Sequence, residues 1–121
     1  MTISRVTFPQ AILREVKSLG LRDELFNGRV QAKGFTIDGP TSRDLDDAIY
    51  LERNGNDFIL HVSIADVDSI VKIGSSIDAE ANKRAFTRYY GYWNDPMIPH
   101  ELSEGLLSLF EDQVRPTLTA S

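Results

Sequence analysis

The hydrophobic positions of this chain change period along its length, and each change marks an element. Between Phe8 and Leu19, residues Ile12, Val16 and Leu19 share one face of a helical repeat, which predicts a short amphipathic helix. Pro9 suits its first position and Gly20 its stop. Leu21 to Lys33 is mixed and polar and reads as a connecting segment. Phe35-Thr36-Ile37 predicts a short strand that delivers Asp38 to its end, and Gly39-Pro40-Thr41-Ser42 is turn chemistry. The period then falls to two. Asp46 to Arg53 and Asp57 to Asp66 read as two strands joined at Asn54-Gly55. In the second, Phe58, Leu60, Val62 and Ile64 alternate with Ile59, His61, Ser63 and Ala65, so one face is plainly apolar. Pairing across the turn sets Asp46 and Asp47 opposite roughly Val62 to Asp66.

Helical spacing returns after Ser75, which can cap a helix with Asp78 in capping-box position. Ile77, Ala81 and Ala85 form its expected buried side, and it should fade near Tyr90-Gly91. Two prolines hold Pro96-Met97-Ile98-Pro99 extended, and Glu101 to Leu109 predicts one more short helix. Val114 to Ser121 reads as the opening of a strand that stops without a partner, as in a truncated domain. There is no repeat. Together these elements predict an α+β fold, a mixed and mainly antiparallel sheet with short helices. Residues 1–33 are its helix and connecting segment, and residues 34–121 its body.

A length of 121 residues allows one small domain with a single core. At 41% hydrophobic and 26% charged the composition is that of a globular chain, not a disordered or fibrous one. No apolar run approaches the ~18 residues of a membrane span. Met1-Thr2-Ile3-Ser4-Arg5 lacks the apolar stretch of a secretory signal. The absence of cysteine excludes disulfides and thiolate metal sites, and a cytoplasmic protein is expected. The net charge of -5 argues against a nucleic-acid partner until its distribution is considered. Asp38, Asp44, Asp46 and Asp47 supply four of those charges within ten residues. If they hold cations, the acidity belongs to one site and not to the whole surface.

Four carboxylates so close repel one another and need a compensating charge. Hard oxygen donors without His or Cys favour Mg2+ or Mn2+ over zinc. An EF-hand loop is excluded: counted from Asp44, Ile49 falls where glycine is required. Two readings remain open on spacing alone, a divalent-metal site and a turn rich in solvated carboxylates. The apolar flanks Phe35-Thr36-Ile37 and Ala48-Ile49-Tyr50-Leu51 anchor both ends of the segment, which favours the first.

The run Thr36 to Ile49, with its Asp38-Gly39-Pro40-Thr41-Ser42-Arg43-Asp44-Leu45-Asp46-Asp47 centre, resembles the signature of the RNB catalytic domain of RNase II and RNase R. Further blocks follow in order: Val62-Ser63-Ile64-Ala65-Asp66-Val67, then Gly74 to Asp78 with Ala81, Arg84, Ala85 and Phe86. Pro96-Met97-Ile98-Pro99, Leu102 to Leu109 and Arg115-Pro116 complete the resemblance, which spans roughly Phe35 to Thr119. It implies the N-terminal portion of an RNB-type domain. It also implies Mg2+-dependent, 3′-to-5′ exoribonuclease activity on single-stranded RNA, with release of nucleoside monophosphates.

By motif position, Asp38, Asp44, Asp46 and Asp47 correspond to the family's four active-site aspartates. Asp38, Asp44 and Asp47 are then the expected metal ligands, and Asp46 the residue most critical to cleavage. Tyr89 falls where the family stacks a tyrosine on an RNA base. Arg84 and Arg88, with Lys83, lie among Phe86, Tyr90, Tyr92 and Trp93 in the mix of charge and stacking surface that RNA calls for. Phe86 is expected in the core, and His61 and His100 are expected to be ordinary packing or surface residues. The pattern departs at Tyr90-Gly91, where the family has Leu-Pro, and at Leu107, where a cysteine is common. The family's later catalytic arginine and glutamate have no counterpart here. That gap supports the alternative of a non-catalytic RNA- or partner-binding module.

Overall fold

In the computed structural model, which describes residues 7–121, Pro9 stands just outside the first helix instead of opening it. Its ψ of 147° is extended, and its carbonyl accepts from the amides of Ile12 and Leu13 at 3.0 and 3.2 Å. Helix α1 therefore runs Gln10–Ser18, with Ile12 and Val16 buried as their spacing predicts. The reading of Met1 to Arg5 concerns residues outside those described. The connecting segment contains a single-turn 3-10 helix at Asp23–Phe26.

The strand expected at Phe35-Thr36-Ile37 contracts to one bridge. Phe35 exchanges both backbone hydrogen bonds with Ile49 at 3.0 Å, and Ile37 is already exposed before the Gly39-Pro40 turn. Gly34 suits this close approach, because a Cβ on it would meet the Cβ of Ala48 at 3.0 Å. Strands β1 (Asp47–Asn54) and β2 (Asp57–Ala65) form the expected antiparallel hairpin, with Gly55 taking the left-handed φ of +64°. Asp47 faces Ile64, and the carbonyl of Asp46 accepts from the amide of Ala65 at 2.9 Å.

After β2 come a single turn, α2 (Val67–Ile70), and helix α3 (Ser76–Arg84). The Ser75 side chain accepts from the Asp78 amide at 3.2 Å, and the Asp78 carboxylate accepts from the Gly74 amide at 2.8 Å. The helix stops well short of Tyr90. Ala85 turns to a φ of +70° and is exposed, so the buried side is Ile77 and Arg84, not Ala85. The chain then forms a two-stranded ribbon absent from the sequence reading, β3 (Arg88–Tyr90) against β4 (Trp93–Asp95). The helix expected over Glu101 to Leu109 becomes a wider π turn at Leu102–Leu106.

The C-terminal strand does have a partner: β5 (Thr117–Ala120) pairs antiparallel with the free edge of β2, giving the sheet order β1-β2-β5. Buried Ile12, Val16, Ala65, Ile70, Val71, Ile77, Leu102 and Leu107 form the core, to which the sheet contributes only Ala65. Helix α1 packs against α3. The covered side of β2 is the one carrying Ser63 and Ala65. Its apolar face points outward, with Phe58 62%, Leu60 50% and Ile64 50% exposed and Leu51 and Leu118 alongside. Folded chains rarely leave so large a contiguous apolar surface in water.

Candidate active site

The aspartate loop has little secondary structure of its own. A turn closed by the Ser42 amide on the Gly39 carbonyl, at 3.0 Å, separates Asp38 from Asp44. Beyond it, Asp46 precedes β1 and Asp47 opens it. Successive side chains of an extended chain leave on opposite sides, so Asp47 lies on the Ile64 face and Asp46 on the Ala65 face. The four carboxylates still feel one another. Partial burial, then the charges of Asp44, Asp47 and Asp38, push the Asp46 carboxyl above the ordinary value of 3.8. Among the described residues no three His, Cys, Asp or Glu side chains converge into a ligating group. The donor chemistry of Asp38, Asp44 and Asp47 nevertheless suits a hard divalent cation, whose charge would relieve the repulsion gathered on Asp46.

The ribbon brings the expected RNA-stacking residue to this loop. Tyr89, on β3, is 63% exposed, and its hydroxyl donates to Asp44 Oδ2 at 2.5 Å. That hydrogen bond, followed by partial burial and the charges of Asp44, Asp46 and Glu104, pushes the Tyr89 phenol up to about 12. The raised value means the folded chain holds the proton more tightly than the unfolded one. Its contribution to stability is whole below pH 10 and is lost as the pH climbs through about 12. Tyr89→Phe should therefore remove one late-titrating phenol from an alkaline ultraviolet titration. A wild-type curve in which every tyrosine titrates near pH 10 would refute this contact.

Tyr90 stacks on Trp93 with ring centroids 4.4 Å apart, and Tyr92 is exposed at the ribbon's tip. Arg88 remains partly exposed, over the Phe86 ring at 4.7 Å and 3.5 Å from Asp95. Phe86 itself is exposed and not a core residue, because the left-handed Ala85 has already turned the chain out of α3.

Arg84 departs most from its expected role. It is buried, bonded to Glu80 at 2.9 Å and Asp95 at 3.1 Å, and it donates to the carbonyls of Pro96 and Thr7. Its guanidinium also lies 3.7 Å from the Phe8 ring centroid. Arg84 is a structural cation, shut away from any RNA. The imidazole of His61 lies between Glu52 and Ser121, at 3.0 and 2.8 Å, and that of His100 is 2.8 Å from Glu104.

Two residues that shape the site were not singled out in the sequence. Asp95, buried at the end of β4, ties α3 to the ribbon through Arg84 and Arg88. Ser108, fully buried, is hydrogen-bonded to the backbone of the aspartate loop. The available signal for Ser108 was one hydroxyl inside an otherwise apolar run, since a buried polar group must find partners.

Exoribonuclease 2 of Erwinia tasmaniensis is 40% identical over 114 residues, covering 93% of this chain and 16% of that protein. Ribonuclease R of Mycoplasmopsis pulmonis is 46% identical over 89 residues, covering 74% of this chain and 11% of the relative. The solved structure of Mycoplasma genitalium RNase R in complex with double-stranded RNA superposes with a TM-score of 0.83 at 33% identity. That match covers 90% of this chain and 20% of the other. A complex of the same enzyme with ribose methylated single-stranded RNA gives 0.81. The chain thus spans a fifth or less of these relatives. The family model described as RNB domain matches residues 29–121, and the chain belongs to the RNB family.

Proposed function

We propose that this segment is the aspartate-bearing part of a metal-dependent exoribonuclease that trims single-stranded RNA from its 3′ end. The observation that carries the reading is Tyr89 held against Asp44 in a chain of the RNB family, with exposed Tyr90 and Tyr92 nearby. It sets a stacking surface directly beside the carboxylates. The names of the relatives, exoribonuclease 2 and ribonuclease R, support the same reaction. Such an enzyme works where RNA is made and used, in the cytoplasm. No helix among the described residues is long and apolar enough to cross a membrane.

Asp38, Asp44 and Asp47 would hold Mg2+ or Mn2+, which when bound lowers the pKa of an attacking water and offsets phosphoryl charge. Asp46, whose carboxyl is held above its ordinary value, would accept a proton from the attacking water. The new P–O bond forms from the water, and the bond to the O3′ of the preceding nucleotide breaks. That oxygen leaves as the new 3′-hydroxyl, taking its proton from solvent, and a nucleoside 5′-monophosphate is released. Tyr89 and Tyr92 present ring faces to the terminal bases, while exposed Lys83 and partly exposed Arg88 face phosphates.

The test places residues 29–121 in a complete enzyme, replacing the matching segment of Mycoplasma genitalium RNase R. The chimera should shorten 5′-labelled single-stranded RNA stepwise with Mg2+ and stop in EDTA. Shortening from the 5′ end, or full activity in EDTA, would overturn the reading. The chain by itself should be at least 100-fold slower, in the lower range of what a general acid–base group contributes. Its outward apolar sheet face and unconverged carboxylates support one layer of a larger active centre. Turnover by the isolated chain at the chimera's rate would show that nothing further is required.

A further inference from the structure

We propose that Ser108 is a positioning residue for the aspartate loop, a buried hydroxyl that sets the direction of Asp44. Its hydroxyl donates to the carbonyl of Arg43 at 2.6 Å and accepts from the amide of Leu45 at 3.1 Å. Those two groups belong to the peptide units on either side of Asp44. One side chain therefore restrains both planes whose rotation would swing the Asp44 carboxylate. The next peptide along is held by the same strap, because the Leu109 amide donates to the Leu45 carbonyl at 2.9 Å. The one after that is held by the sheet, where the Asp46 carbonyl accepts from the Ala65 amide at 2.9 Å.

The loop has no ladder of its own, so this succession replaces one. The π turn makes the placement possible. Its wide bond, from the Leu107 amide to the Leu102 carbonyl at 2.9 Å, leaves Leu102, Leu107 and Ser108 all buried. Without the hydroxyl, the Arg43 carbonyl and the Leu45 amide each lose the partner that Ser108 supplies. The role of the clamp in catalysis rests on the exoribonuclease reading. The clamp itself rests on these bonds alone.

Amide exchange and Mn2+ binding on the full chain separate the two. In Ser108→Ala the Leu45 amide should exchange at least tenfold faster than in wild type. The Val71 and Ala85 amides, bonded elsewhere in the fold at 2.8 Å, should stay within twofold. Mn2+ affinity, read by electron paramagnetic resonance, should weaken at least fivefold, and Ser108→Thr should restore both readouts. A core control, Ile12→Ala, should speed all these amides together and leave Mn2+ affinity unchanged. Uniform acceleration in Ser108→Ala would reduce Ser108 to a general packing residue and overturn the proposal. So would an unchanged Leu45 amide, or local loosening with unaltered Mn2+ affinity. A wild-type chain that takes up no Mn2+ overturns the metal reading alone, and Leu45 exchange then decides the clamp by itself.

Discussion

Asp46→Asn, placed in the chimera that carries residues 29–121, should lower RNA trimming by about 100- to 10,000-fold, the range a positioned proton acceptor contributes. RNA binding should persist, because Tyr89, Tyr92 and Arg88 are untouched. The same substitution should stabilise the metal-free fold. Burial and the charges of Asp44, Asp47 and Asp38 raise the Asp46 carboxyl above 3.8, so the ionised form is held less favourably in the folded chain than in the unfolded one. The folded state therefore loses stability as the pH rises from 3.8 through the raised value, and a neutral Asn escapes that loss. At neutral pH in EDTA the Asn variant should melt higher than wild type, and the difference should close below pH 3.8. Trimming at the unsubstituted rate would remove Asp46 from the chemistry. A lower melting point in EDTA would show that the carboxylate is compensated within the chain.

Arg84→Ala should destabilise the chain by about 3–5 kcal/mol, the cost of removing one partner from a buried ion network. The side chains of Arg84, Glu80 and Asp95 are 7%, 15% and 10% exposed, so the two carboxylates left behind would stay largely out of water. The guanidinium also packs on Phe8 and holds the Pro96 and Thr7 carbonyls, so α1, α3 and the ribbon loosen together. A loss of that size is comparable to the whole stability of a small domain. Arg84→Met should do little better, since it restores packing but not charge. Urea denaturation measures the effect. A change below about 1 kcal/mol accompanied by weaker RNA binding would return Arg84 to the surface role its sequence context implied.

Much of the local structure was legible. The spacing of Ile12 and Val16, the Asn54-Gly55 turn and the Ser75–Asp78 cap are short-range features whose physics is contained within a few residues. The Phe35 strand, by contrast, shrank to a bridge, and the helix expected to fade near Tyr90 ended at Arg84 with a left-handed Ala85. Alanine carries no turn signal, so nothing in the sequence announced that reversal.

The same boundary separates the candidate site's chemistry from its construction. The residue types and spacing of Asp38, Asp44, Asp46 and Asp47 by themselves determined that the chain gathers hard anionic donors in one segment, since chemistry and proximity in sequence suffice for that. Tertiary structure alone decided that Tyr89 bonds to Asp44 across 45 positions and that Ser108 bonds to the loop's backbone from more than 60 away. It also turned Arg84 inward, because a guanidinium's role depends on which carboxylates the fold brings to it. Alternation in β2 made one sheet face apolar, but only the tertiary structure decided that this face would be the outward one, because the core gathers on the Ala65 side.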